Sequence, residues 1–318
     1  MSDPTNGQKP DILFIKAGGI NDFIVKAIRD SGYDIEAPYR GGGVVLNTLR
    51  KFWFKLRLPL RHMWYNPHTN KARHDIIIVF DAQITPDYMR WLKAVNPSSQ
   101  LTFVYNNLVG KTSHPLPREL PDDLCSKWSY DKGDCEKYAL RYNPICMYFR
   151  HWRVEKREPR YDVFYIGRDK GRAEKLLAFE QLLNQQGLRT YFHIVATTAY
   201  QQYKKSFYRS RLSYDQIREK IADSRAILNM MPDEKQTGII IRDMEAIFNE
   251  KKLITDNMAI KQADFYRREN VFILGKDDID HIVEFLDTPY VPLETDILEK
   301  YSFEAWFSVM LNCGDKRA

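Results

Sequence analysis

The chain alternates short apolar runs with stretches of helical spacing. Asp11–Ile15, Asp75–Phe80 and Leu101–Tyr105 are continuous apolar runs of strand length, as expected for strands buried on both faces. Helices are predicted from a cap at Asn21 or Asp22 to Ser31-Gly32, and over Pro86–Val95. The pattern restarts at Tyr161. A strand over Tyr161–Ile166, a turn at Gly167–Arg172, a helix over Ala173–Gln186 and a strand over Thr190–Val195 form a βαβ unit. A helix over Tyr214–Ala222 then leads to the run Ala226–Leu228, closed by Asn229 and Pro232. After a polar loop, Gly238 opens a helix whose apolar positions Ile240, Ile241, Met244, Ile247 and Phe248 mark one buried face. Strands at Leu253–Thr255 and Val271–Leu274 follow, with helices over Asp277–Leu286 and Glu294–Leu311. Strands and helices in alternation predict an α/β protein with parallel sheets.

The length of 318 residues predicts two domains. The charged stretch Arg150–Arg160, which contains Pro159, reads as the linker. It separates an N-terminal domain, 1–155, from a C-terminal one, 156–299, and 300–318 is expected to be a terminal helix crossing back to the first domain. Four cysteines (Cys125, Cys135, Cys146, Cys313) show neither CxxC nor metal-ligand spacing, and no secretory signal follows Met1. They read as reduced thiols of a cytoplasmic protein. No run is long and apolar enough to predict a transmembrane helix. A net charge of +6 suits a phosphate-bearing ligand or an anionic membrane and does not by itself indicate nucleic acid.

Ligands of open α/β sheets lie outside the carboxyl ends of the strands. The residues that close the apolar runs are therefore the candidates. Gly18 and Gly19 follow the first run, but without the third glycine of a dinucleotide fingerprint a tight turn explains them as well as a phosphate does. Asp81 closes Asp75–Phe80 and Asn106 closes Leu101–Tyr105; a cap is the plainer reading of Asp81. Gly167 permits close backbone approach. Arg168, Lys170 and Arg172 set three cations beside a helix N-terminus, which favours a diphosphate over a merely solvated turn. Arg242 adds a cation to the next such helix. Glu245, one turn on, is placed to accept hydrogen bonds from a ribose diol. Arg50–Tyr65 interleaves five cations with large apolar residues and holds no acid. It suits a membrane interface carrying anionic lipid, or else a core helix whose basic residues face water.

The segment from Gln236 to Asn257 resembles the C-terminal half of GT-B glycosyltransferases. It resembles more closely a group of bacterial capsule and lipopolysaccharide glycosyltransferases. Gln236, Gly238, Arg242 and Glu245, followed by Lys251, Lys252, Leu253, Ile254, Thr255 and Asn257, carry the likeness. It covers Tyr161 to Leu274 well and the N-terminal half loosely. It departs at Thr237, where many GT-B enzymes have an acid, so only the second carboxylate of their pair is carried over. The resemblance implies a GT-B fold, two Rossmann-like domains facing each other across a cleft. It implies transfer of a sugar from a nucleotide-sugar donor to a bacterial surface polysaccharide or lipid-linked glycan. The nucleotide-sugar is a substrate, and neither cofactor nor metal is expected. Donor binding falls to Gly167, Arg168, Lys170, Arg172, Gln236, Gly238, Arg242 and Glu245, and the acceptor side to Gly18, Gly19 and Asn106. Asp81, with Asp22 in reserve, is the expected base for an inverting transfer. The expected partners include an anionic membrane surface met through Arg50–Tyr65, on the cytoplasmic face of the inner membrane. A GT-A enzyme is disfavoured because no Asp-x-Asp closes a strand. A nucleotide-sugar epimerase of the same fold and a non-catalytic nucleotide-binding scaffold are the alternatives.

Overall fold

The computed structural model describes residues 10–17, 22–70, 74–110, 115–232 and 238–312. The chain divides into two compact units, one of residues 1–129 and 134–142, the other of residues 130–133 and 143–318. The unit changes at Asn143, ahead of the Arg150–Arg160 stretch, and Trp152 is already buried in the second unit.

The first unit comprises β1 (Ile12–Ile15), α1 (Phe23–Asp30), β2 (Asp34–Glu36), α2 (Val44–Lys55), β3 (Ile76–Phe80), α3 (Pro86–Val95), β4 (Gln100–Tyr105), β5 (Ser126–Ser129), α4 (Lys132–Tyr138), shared with the second unit, and β6 (Arg141–Tyr142). Its sheet runs β2-β1-β3-β4-β5-β6 with every pairing parallel. The continuous apolar runs are explained by burial on both faces. Leu13, Ile15, Ile77, Val79, Leu101 and Phe103 enter one core cluster. Phe14 and Phe80 alternate with them and stack with centroids 6.0 Å apart.

The second unit comprises β7 (Tyr161–Arg168), α5 (Ala173–Gln185), β8 (Thr190–Val195), α6 (Ala199–Lys204), α7 (Tyr214–Ala222), β9 (Ser224–Asn229), α8 (Ile241–Phe248), β10 (Lys252–Thr255), β11 (Val271–Ile273), α9 (Ile282–Asp287), α10 (Thr295–Lys300) and α11 (Phe303–Asn312). Its sheet runs β11-β10-β9-β7-β8, again with every pairing parallel. The single helix expected over Glu294–Leu311 is broken into α10 and α11. Ser302 bridges to Tyr148, and the Phe303 N–H donates to the Tyr148 carbonyl at 2.8 Å. The Phe303 ring also stacks on Phe149 at 4.5 Å, so α11 packs on the 143–152 segment of its own unit.

Counted from its own first strand, each sheet shows the order second, first, third, fourth, fifth, and the first unit adds a sixth. The expected class of two Rossmann-like α/β units is what the structure shows. The strand order reverses between β1 and β3 in one unit and between β7 and β9 in the other. Crevices of open parallel sheets form at such switch points, outside the carboxyl ends.

Candidate functional site

At the first unit's switch point, Lys16 follows β1 and Asp81 follows β3. Lys16 Nζ pairs with the Asp22 carboxylate, whose Oδ1 caps α1 by accepting the Ile24 N–H at 3.1 Å. Asp81 Oδ1 accepts the Asn106 N–H at 3.0 Å. Burial raises the Asp81 pKa, while hydrogen bonds from Asn106 and Asn107 and the charge of Lys16 oppose the rise. The structure thus brings Asp22, Asp81 and Asn106 together, with Lys16 as an added member. The chain leaves Asp81 through two non-glycine residues of positive φ, Ala82 at 145° and Gln83 at 59°. Such backbone persists only where its surroundings fix it, and the Tyr39 hydroxyl donates to the Gln83 carbonyl at 2.6 Å.

At the second unit's switch point, the turn after β7 is built around Asp169. One carboxylate oxygen accepts the Ala173 N–H at 2.7 Å and the other accepts the Tyr208 hydroxyl at 2.7 Å. Lys170 takes φ 47° and Gly171 φ 85°, and the Lys170 N–H donates to Thr197 Oγ1 at 2.8 Å. The Arg172 guanidinium donates to the Asp169 carbonyl at 3.1 Å, to the Arg168 carbonyl at 2.6 Å and to the Met230 carbonyl. It therefore ties the end of β7 to the residue after β9. Arg168 and Lys170 are exposed, and among the described residues neither forms an ion pair. Partial desolvation within the turn, with the like charges of Arg172 and Arg168, lowers the Lys170 pKa. A Cβ on Gly167 would lie 2.6 Å from the Tyr165 hydroxyl, so glycine lets this strand end close over the tyrosine. The positive charges of Arg172 and Arg242 both act on that hydroxyl.

Arg242 stands in the first turn of α8 and pairs with Glu245. The Glu245 carboxylate is fully buried, and its Oε1 has no hydrogen bond of ordinary geometry among the described residues. Burial raises its pKa against the opposing Arg242 charge and Tyr214 hydroxyl. Beside it, Asp243 accepts the Ile240 N–H at 2.9 Å and Asn229 Nδ2 at 2.5 Å. Asp256, after β10, accepts the Met231 N–H at 2.7 Å and Lys175 Nζ at 3.1 Å. A Cβ on Gly238 would lie 2.4 Å from the Tyr130 ring, and Asn257 Nδ2 donates to the Gly238 carbonyl at 3.3 Å.

Gly18, Gly19 and Gln236 lie outside the described residues. Sequence reasoning gave no role to Lys16, Asn229 or Asp256, although each is a polar residue closing an apolar run. Asp243 had no such signal. It completes the helix start from the third helical position, and Ile240 at the cap hides the pairing.

No protein-family model matches the chain, and no curated protein matches it. Among solved structures it is similar to the catalytic domain of starch synthase IV from Arabidopsis thaliana bound to ADP and acarbose, at 9% identity and TM-score 0.45, over 96% of this chain and 100% of that one. It is similar to an alpha1,3-fucosyltransferase at 8% identity and TM-score 0.46, over 99% of this chain and 93% of that one. A putative UDP-N-acetylglucosamine 2-epimerase from Listeria monocytogenes gives 10% identity and TM-score 0.45, over 96% of this chain and 95% of that one.

Proposed function

We propose that the protein is a glycosyltransferase of the GT-B type, taking a sugar from a nucleotide-sugar to a bacterial surface polysaccharide or lipid-linked glycan. The observation that carries this is the pair Arg168 and Lys170. Both stand at the strand-order switch of the second unit without an ion pair among the described residues, beside the N-terminus of α5. Cations clustered at a helix start favour an anion of several charges, and a diphosphate fits. Arg242 supplies a further cation from α8. Glu245, itself buried, holds Arg242 in place rather than meeting the ligand. Arg172 keeps the turn in shape, and Gly167 and Gly238 keep the backbone close. In this mode the chain's own cations neutralise the departing diphosphate, so transfer is expected to continue in the presence of a chelator.

Calorimetry with a panel of nucleoside diphosphates tests the site. Charge-assisted hydrogen bonds contribute about 1.5–3 kcal/mol each, so Arg168→Ala or Lys170→Ala should weaken binding about tenfold or more. Unchanged affinity in both variants would remove the site. Product analysis with nucleotide-sugars separates transfer from the epimerase reading, in which the donor sugar itself is altered, and from a scaffold, which forms no product.

A further inference from the structure

Helix α2 departs from the usual surface helix: it turns an arginine inward and an apolar stripe outward. Its inward stripe contains Arg50 and Phe54. Arg50 is 9% exposed, with its guanidinium carbon 4.3 Å from the Tyr39 ring centroid. The Phe54 ring meets Tyr39 edge-on at 5.4 Å. The outward stripe is Val45, Leu49, Phe52 and Leu56, exposed by 81, 46, 57 and 52%. Leu60 and Met63, each 57% exposed, carry the apolar surface onto the following turn. That turn is folded back by Trp53 Nε1, which donates to the Pro59 carbonyl at 2.8 Å, and by the contact of the Trp53 and Trp64 rings. Lys51 and Lys55 are exposed one helical turn apart, on one flank of the stripe. From Ala37 to His74 the sequence holds eight Lys and Arg and no Asp or Glu. A core helix with its basic residues in water describes Lys51 and Lys55, which face solvent, but not Arg50, which is turned inward, nor Leu49, Phe52 and Leu56, which are turned out.

We propose that α2 and the turn after it dock on an anionic lipid bilayer. The helix lies in the plane of the interface, with Val45, Leu49, Phe52 and Leu56 at the acyl boundary and Lys51 and Lys55 against headgroup phosphates. The charge pattern selects this occupant. A second copy of the chain would set cations against cations across a two-fold face, and a nucleic-acid backbone gives no partner to an aliphatic stripe. The surface belongs to the first unit alone and stands independently of the transfer reading, since lipid binding needs neither donor nor acceptor.

The full chain, without nucleotide, is sedimented with vesicles of phosphatidylcholine alone and of phosphatidylcholine and phosphatidylglycerol in equal parts. Pelleting is expected with the mixed vesicles only, and it should fall as salt screens the charges. Phe52→Ser with Leu56→Ser should lower the partition about tenfold or more, since two large apolar side chains lose their burial. Lys51→Glu with Lys55→Glu should lower it by a similar factor. Circular dichroism checks folding, and if the apolar pair misfolds, the lysine pair and the salt series decide. Equal pelleting on both vesicle types, pelleting on neither, or parental partition of the folded variants overturns the proposal. So does a concentration-dependent dimer that the apolar pair abolishes while vesicle binding is absent.

Discussion

Asp243 is fully buried, and burial raises its pKa to about 7 despite hydrogen bonds from Ile240 and Asn229. The sign of its effect on stability follows. An acid whose folded pKa lies above the unfolded one holds its proton more tightly in the folded state. Its contribution is complete below the ordinary carboxylate range and is lost as pH rises through about 7. Asp243→Asn should keep the Ile240 bond and, with the Asn229 amide turned, the other as well. Thermal melts at pH 5 and pH 7.5 should show the parent losing stability relative to the variant as pH rises. A constant difference would mean that Asp243 does not titrate in this window. The comparison stays below pH 8 because Lys252, lowered to about 8 by burial, acts in the opposite direction above it. Gly238 supports a second residue-scale expectation. An alanine there would meet both the ring and the carbonyl of Tyr130, the latter at 3.0 Å. Overpacking of this kind costs about 1–3 kcal/mol. Urea unfolding of Gly238→Ala should show a lower midpoint with the slope unchanged.

At the scale of elements, the turn after β7 assigns different work to two arginines that look alike in sequence. Arg172 gives its guanidinium to three carbonyls at the ends of β7 and β9, whereas Arg168 makes no such bond among the described residues. Arg172→Ala should therefore destabilise the fold by about 1.5–3 kcal/mol and loosen the turn, while Arg168→Ala should melt with the parent and lose only ligand affinity. Equal destabilisation by the two substitutions would refute this division. The cation cluster was legible because charge density and strand position can be read from a chain. Its division between structure and binding was not, because it depends on where β9 ends in space, and Met230 is distant in sequence. The same contrast runs through the fold. β1, β3, β4 and β7 to β10 announced themselves as mainly apolar runs, since strands packed between layers hold few polar positions. β2 and β6 did not: three and two residues long, with Asp34, Glu36, Arg141 and Tyr142 outside the core, they pair by backbone register rather than by burial. The break between α10 and α11 was hidden for a similar reason. It is set by pairing of Ser302 with Tyr148, while the helical spacing of apolar residues runs on past it.

At the scale of the molecule, two units with one strand order provide two switch points, and their chemistry differs. The second unit's edge exposes the cations of Arg168 and Lys170, while its carboxylates Asp169, Asp243 and Glu245 are buried. The first unit's edge sets the carboxylates of Asp22 and Asp81 around Lys16. In the proposed reaction the anionic donor belongs to the cationic edge. An inverting transfer also needs a base within hydrogen-bond reach of the acceptor hydroxyl. Asp22 is less suited, because it is the direct ion-pair partner of Lys16 and the cap that starts α1. Asp81 is better placed. Burial raises its pKa and so its strength as a base, while Lys16 and the Asn106 N–H favour its ionised form. Asp81→Asn keeps an oxygen to accept the Asn106 N–H, so the strand end should hold and donor affinity should match the parent. Turnover should fall by about 10²–10⁴, the usual loss when a general base is removed. Two measurements on the same variant, nucleotide calorimetry and sugar transfer, check both halves of the expectation. If transfer continues at near the parental rate with binding intact, Asp81 serves only to tie β3 to the residue after β4.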